Sequence, residues 1–77
     1  MARTPDMITI TKEPIRLGQF LKLADLVQDG LEAKIQIQNG AVLVNGVLEK
    51  RRGRQLNHGD QVTMGESLLL IQLEKGA

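Results

Sequence analysis

The spacing of apolar residues changes along the chain, and each change marks a new element. Met7-Ile8-Thr9-Ile10-Thr11 is β-branched and roughly alternating, which predicts a strand. Lys12-Glu13-Pro14 ends it, because a proline biases the residue before it towards extended backbone. Leu17, Phe20, Leu21 and Ala24 then recur at i, i+3, i+4 and i+7, the apolar face of an amphipathic helix. Leu23, Leu26 and Val27 are expected to pack in its last turn and the link that follows, with Gln19 and Lys22 towards water.

The next stretch carries two signals. Asp29 followed by Glu32 has the form of a capping box, and Asn39-Gly40 has the form of a helix stop. Leu31, Ala33, Ile35 and Ile37 nevertheless alternate strictly, as in a strand, and Asn-Gly ahead of Val42 and Val44 is also a hairpin signal. On these residues alone, helix and strand both stay open. Val42-Leu43-Val44 predicts a strand, Asn45-Gly46 a two-residue hairpin turn, and Val47-Leu48-Glu49 the returning strand. Asn57-His58-Gly59-Asp60 is a second turn, residues 61–64 a short strand, Gly65-Glu66 its turn, and residues 67–73 a final, strongly apolar strand. This divides the chain into a flexible N-terminus at 1–6, one domain at 7–73 and a C-terminal tail at 74–77.

With 77 residues the chain can bury one small core. Its 42% hydrophobic and 25% charged residues are ordinary for a globular domain, which argues against wholesale disorder. The absence of cysteine excludes disulfides and thiolate metal sites. No apolar run approaches the length of a membrane span, so a cytoplasmic protein without a membrane partner is expected.

The net charge of +1 hides an asymmetry. Four of the ten basic residues, Lys50, Arg51, Arg52 and Arg54, lie within five positions. Without them six basic residues face nine acidic ones, a net of −3. A mildly acidic body with one strongly basic segment points to a localised anion-binding site. Arginine presents a planar donor fork suited to phosphate oxygens, and Gly53 allows close approach of the backbone. The plainer alternative is a solvated hairpin arm. Arg16, Lys22 and Lys34 are further basic candidates on the helices, each also readable as an ordinary surface charge; Lys34 has Gly30, not an acid, four residues before it.

Phe20 is the single aromatic residue. Modules for single-stranded nucleic acid stack bases on several exposed aromatics, so any nucleic acid here must be held through phosphates, sugars and shape. His58, the one histidine, sits in a turn without a second ligand-type residue at metal spacing, and Ser67, the one serine, lies in a strand without a triad. Asp25, Asp29 and Glu32 read as helix-end and capping residues. No catalytic residue, metal ligand or cofactor is expected.

Arg16-Leu17, Phe20-Leu21, Glu32-Ala33-Lys34, Gly40, Val42-Leu43-Val44-Asn45-Gly46, Arg51-Arg52-Gly53-Arg54 and Gly59-Asp60 before Val62 together resemble the RNA-binding domain first seen in ribosomal small-subunit protein S-four, in its small stand-alone bacterial type. The resemblance spans residues 15–62. It implies an α+β fold of two short helices packed on a small, mostly antiparallel sheet, and it resolves the ambiguous stretch as a helix over 29–38. It also implies a basic face for structured RNA, ribosomal or transfer, formed by Arg16, Lys22, Lys34, Lys50, Arg51, Arg52 and Arg54. The chain departs from the family pattern in three places. Gly18 replaces an acid, Asp29-Gly30 replaces Ser-Arg, and Gln36 replaces a leucine.

The function expected is non-catalytic RNA binding by a monomer, with the ribosome or an RNA-modifying enzyme as a further partner. The alternative is a protein-interaction adaptor, an accessory subunit of a ribosome-associated or RNA-modifying complex, whose basic arm meets an acidic partner.

Overall fold

The structure, a computed structural model, describes residues 4–74. Along the chain run β1 (Asp6–Ile10), β2 (Ile15–Arg16), α1 (Leu17–Leu23), α2 (Gly30–Gln38), β3 (Val42–Val44), β4 (Val47–Leu48), β5 (Gln55–Leu56), β6 (Gln61–Met64) and β7 (Ser67–Leu73). Five strands form one sheet in the order β1-β7-β6-β3-β4, and β2 pairs with β5 in a separate two-stranded ladder. All pairings are antiparallel except β1 with β7, which places Asp6 opposite Leu69 and Ile10 opposite Leu73. The result is the predicted α+β fold, two helices with a mostly antiparallel sheet.

The predicted flexible N-terminus and C-terminal tail fall partly outside the described residues. Among the described residues Asp6 already opens β1, which ends at Ile10 and leaves out Thr11 of the expected strand, and the Glu74 N–H, just past β7, donates to the Ile10 carbonyl at 2.7 Å.

Helix α2 overrides its own alternation. Ala33 and Ile37, four apart, are buried in the core, whereas Leu31 and Ile35 are 66% and 47% exposed. Both helix ends are closed by local bonds that a strand would forfeit. Asp29 Oδ1 accepts from the Glu32 N–H at 2.8 Å, and Glu32 Oε2 accepts from the Gln28 N–H at 3.2 Å. At the other end Gly40, at φ +79°, lets its own N–H reach the Ile37 carbonyl and the Ala41 N–H reach the Gln36 carbonyl, the paired bonds of a Schellman stop. Helix α1 ends likewise. Asp25 takes a φ of +63°, its N–H donates to the Lys22 carbonyl, and the Leu26 N–H donates to the Leu21 carbonyl.

The core joins one stripe of each helix to one face of the sheet. Leu17, Phe20, Leu21, Ala33, Ile37, Val42, Leu56, Val62 and Ile71 are fully inaccessible to solvent. Val27 is buried and Leu26 half-buried, as expected, but Leu23 is 54% exposed. The reason is geometric: the buried stripe of α1 runs through Leu17, Phe20 and Leu21, and Leu23 stands off it.

Candidate nucleic-acid interface

The basic arm is positioned by the start of α1. A helix leaves its first N–H groups without internal partners. Here the Leu17 N–H donates to the Arg54 carbonyl at 2.8 Å, and the Gly18 N–H donates to the Arg52 carbonyl at 3.1 Å. The arm backbone thus caps α1, and the β2–β5 pairing of Arg16 with Gln55 and Ile15 with Leu56 fastens the same junction.

This stitching brings three of the candidate cations together. Arg16, Lys22 and Arg52, with Gly18, Gln19, Gly30 and Gly53, line a cavity of about 320 Å³ between α1, the first residue of α2 and the arm. Among the described residues none of these three cations forms an ion pair. Lys34 is exposed on α2, outside that lining. Lys50 turns towards the C-terminal end of α2, with its Cε 4.0 Å from where a Cβ on Gly40 would stand. That end of a helix carries partial negative charge, which a cation complements.

Arg51 and Arg54 are held differently. Both engage Glu49, the one buried charged side chain among the described residues, at 6% exposure. Arg51 Nε donates to Glu49 Oε2 at 3.0 Å and its Nη2 donates to Oε1 at 3.1 Å, a two-pronged pairing completed by the Arg51 backbone N–H to Oε2 at 3.1 Å. Arg54 Nη1 donates to Oε1 at 2.9 Å. The hydrogen bonds from the Arg51 side chain chiefly, then those from Arg54 and the Arg51 backbone, hold the Glu49 carboxyl at a pKa of about 2 against the opposing effect of burial. The carboxylate in turn raises the Arg51 pKa. Glu49 was not among the residues the sequence singled out. Its signal is a carboxylate at the head of a basic run, two and five positions before arginines, directly after β4.

Gly18, the departure from the family's acid, has a steric cause. A Cβ there would lie 2.8 Å from Arg52 Cγ, so the stem of Arg52 occupies the space a side chain would need. His58 sits in its turn as expected, with a role the sequence does not reveal. Its Nδ1 accepts from the Leu73 N–H and its own N–H donates to Glu13 Oε2, each at 3.0 Å. Among the described residues there is no group of three or more metal-ligating side chains, and no helix is long and apolar enough to cross a membrane.

Comparison with known proteins agrees with this architecture. A model of the S4 domain matches residues 8–72. The chain is 53% identical over 55 residues to the probable ribosome maturation protein RlbA of Bacillus subtilis (strain 168), covering 71% of this chain and 78% of that protein. It is also similar to the solution structure of YbcJ from E. coli, at a TM-score of 0.68 and 26% identity over 94% of this chain and 92% of the other. YbcJ is described as carrying a motif involved in RNA binding. The S4 domain model covers most of the chain, and its two-helix, mostly antiparallel core is the fold seen here, so this chain belongs to the S4 domain family.

Proposed function

We propose that this protein binds structured RNA, ribosomal or transfer, through its phosphate backbone, as a monomer in the bacterial cytoplasm and without catalysing a reaction. The observation that carries this reading is the cavity lined by Arg16, Lys22 and Arg52, with no acidic side chain among the described residues paired to them. Such a grouping repels itself unless an anion completes it, and a polyanion satisfies several such cations at once. Phe20 is wholly buried, so the protein presents no aromatic platform for bases. That favours contacts to phosphate, sugar and helical shape over reading of unstacked bases. The ribosome-maturation name of the Bacillus subtilis relative makes ribosomal RNA the first substrate to test.

The test is affinity for ribosomal and transfer RNA across a range of salt concentrations. Three phosphate contacts predict that log affinity falls against log salt with a slope of roughly 2–3 units. Binding that is absent or indifferent to salt overturns the reading.

The adaptor reading has its own observation. Leu31 and Ile35 stand exposed on the outer side of α2, and Val47 and Leu48 are 68% and 51% exposed on the edge strand β4. Co-purification with a single protein that survives nuclease treatment favours that alternative.

A further inference from the structure

The arm holds three arginines in four positions, yet the structure treats them unequally. The guanidinium groups of Arg51 and Arg54 both turn back onto the buried carboxylate of Glu49. Arg52 lies between them in sequence, on the other side of the arm. Its stem runs over Gly18, and among the described residues no carboxylate or carbonyl holds its guanidinium. The two paired arginines and Glu49 carry a net charge of +1, whereas Arg52 keeps its whole charge beside Arg16 and Lys22.

A buried carboxylate needs partners that satisfy its lone pairs, and Glu49, at the foot of the arm, takes four donor groups from two arginines. That requirement fixes the backbone from 49 to 54, and the same backbone offers the Arg52 and Arg54 carbonyls to the first turn of α1. The bonds therefore form one unit: Glu49 gathers Arg51 and Arg54, the arm closes onto α1, and Arg52 is left facing the cavity.

Taking the RNA reading above as its basis, we infer that Glu49 is a positioning residue that splits the arm, committing Arg51 and Arg54 to holding its shape and reserving Arg52 as the arm's phosphate contact. The split makes two arginines only one residue apart respond oppositely to truncation. Arg52→Ala removes a phosphate contact and leaves the arm intact. Arg51→Ala removes the two-pronged partner of a buried carboxylate, but Arg54 still holds Glu49 and the Arg52 and Arg54 carbonyls still accept from the first turn of α1, so the cavity cations stay in place.

The experiment measures RNA affinity against salt, and melting temperature, for the wild type, Arg51→Ala and Arg52→Ala. Arg52→Ala is expected to flatten the salt slope by about one unit with an unchanged Tm. Arg51→Ala is expected to lower Tm with an unchanged slope. A second readout needs no RNA: the Arg51 Nε–H proton should exchange slowly with water in the wild type and rapidly in Glu49→Gln, while that of Arg52 exchanges rapidly in both. Equal flattening of the slope by both alanine variants overturns the split, as does slow exchange at Arg52 or no change at Arg51 in Glu49→Gln. A wild-type protein with no salt-dependent RNA binding removes the RNA reading and with it the role given to Arg52. The melting and exchange data then still decide whether Glu49 holds the arm.

Discussion

The stem of Arg52 lies directly over Gly18, where a Cβ would stand 2.8 Å from Arg52 Cγ. Helix α1 therefore accepts no side chain at that position unless the arm side chain moves. Gly18→Ala tests this contact. Alanine favours the helix over glycine by about 1 kcal/mol, which offsets much of the strain of a crowded site. The expected outcome is a melting temperature close to wild type and an RNA affinity lowered towards that of Arg52→Ala. Titration of both variants with the same RNA checks it, and a wild-type affinity would mean that the position of the Arg52 stem is immaterial.

Glu49 makes stability depend on acid in a defined window. Its pKa is lowered from 4.5 to about 2 in the folded protein, so the unfolded chain takes up its proton first as pH falls. Its contribution is complete above about pH 4.5 and is lost as pH drops through about 2. The melting temperatures of wild type and Glu49→Gln should differ by a constant amount above that window and converge below it. Parallel curves from pH 6 to pH 2 would show that the carboxylate is not held by its arginines.

The hairpin between β3 and β4 turns on two residues in the left-handed region, Asn45 at φ +52° and Gly46 at φ +80°. A Cβ at Gly46 would meet nothing within 4 Å, so any cost of substitution there is backbone strain alone. Gly46→Val should lower stability by about 1–3 kcal/mol. Denaturant unfolding measures it, and an unchanged midpoint would mean that the turn relaxes to another type.

Phe20 and Leu17 separate stability from binding. Both are wholly buried. Phe20→Ala should cost about 3–5 kcal/mol and Leu17→Ala about 2–5 kcal/mol, a large share of the roughly 5–15 kcal/mol available to a small domain. RNA binding should fall only in step with the folded fraction read by circular dichroism. Loss of affinity in a fully folded variant would place the core residue at the interface.

Local features were legible in the sequence wherever a few neighbouring residues decide the outcome. The Leu17, Phe20 and Leu21 stripe, the Asp29 cap, the Asn45-Gly46 turn and the closing strand over 67–73 all rest on propensity, periodicity or turn chemistry. The family pattern supplied the one choice those signals left open, because the alternation from Leu31 to Ile37 fits either element until α1 is there to pack against. Tertiary structure decided the rest. The parallel pairing of β1 with β7, the His58 bonds to Leu73 and Glu13, and the β2–β5 ladder join residues far apart in sequence, which no local pattern encodes. The basic run was visible as a charge cluster, but its partition was not. Composition counts charges, whereas burial of one carboxylate at the foot of the arm determines which arginines it draws in and which one the α1 junction leaves facing the cavity.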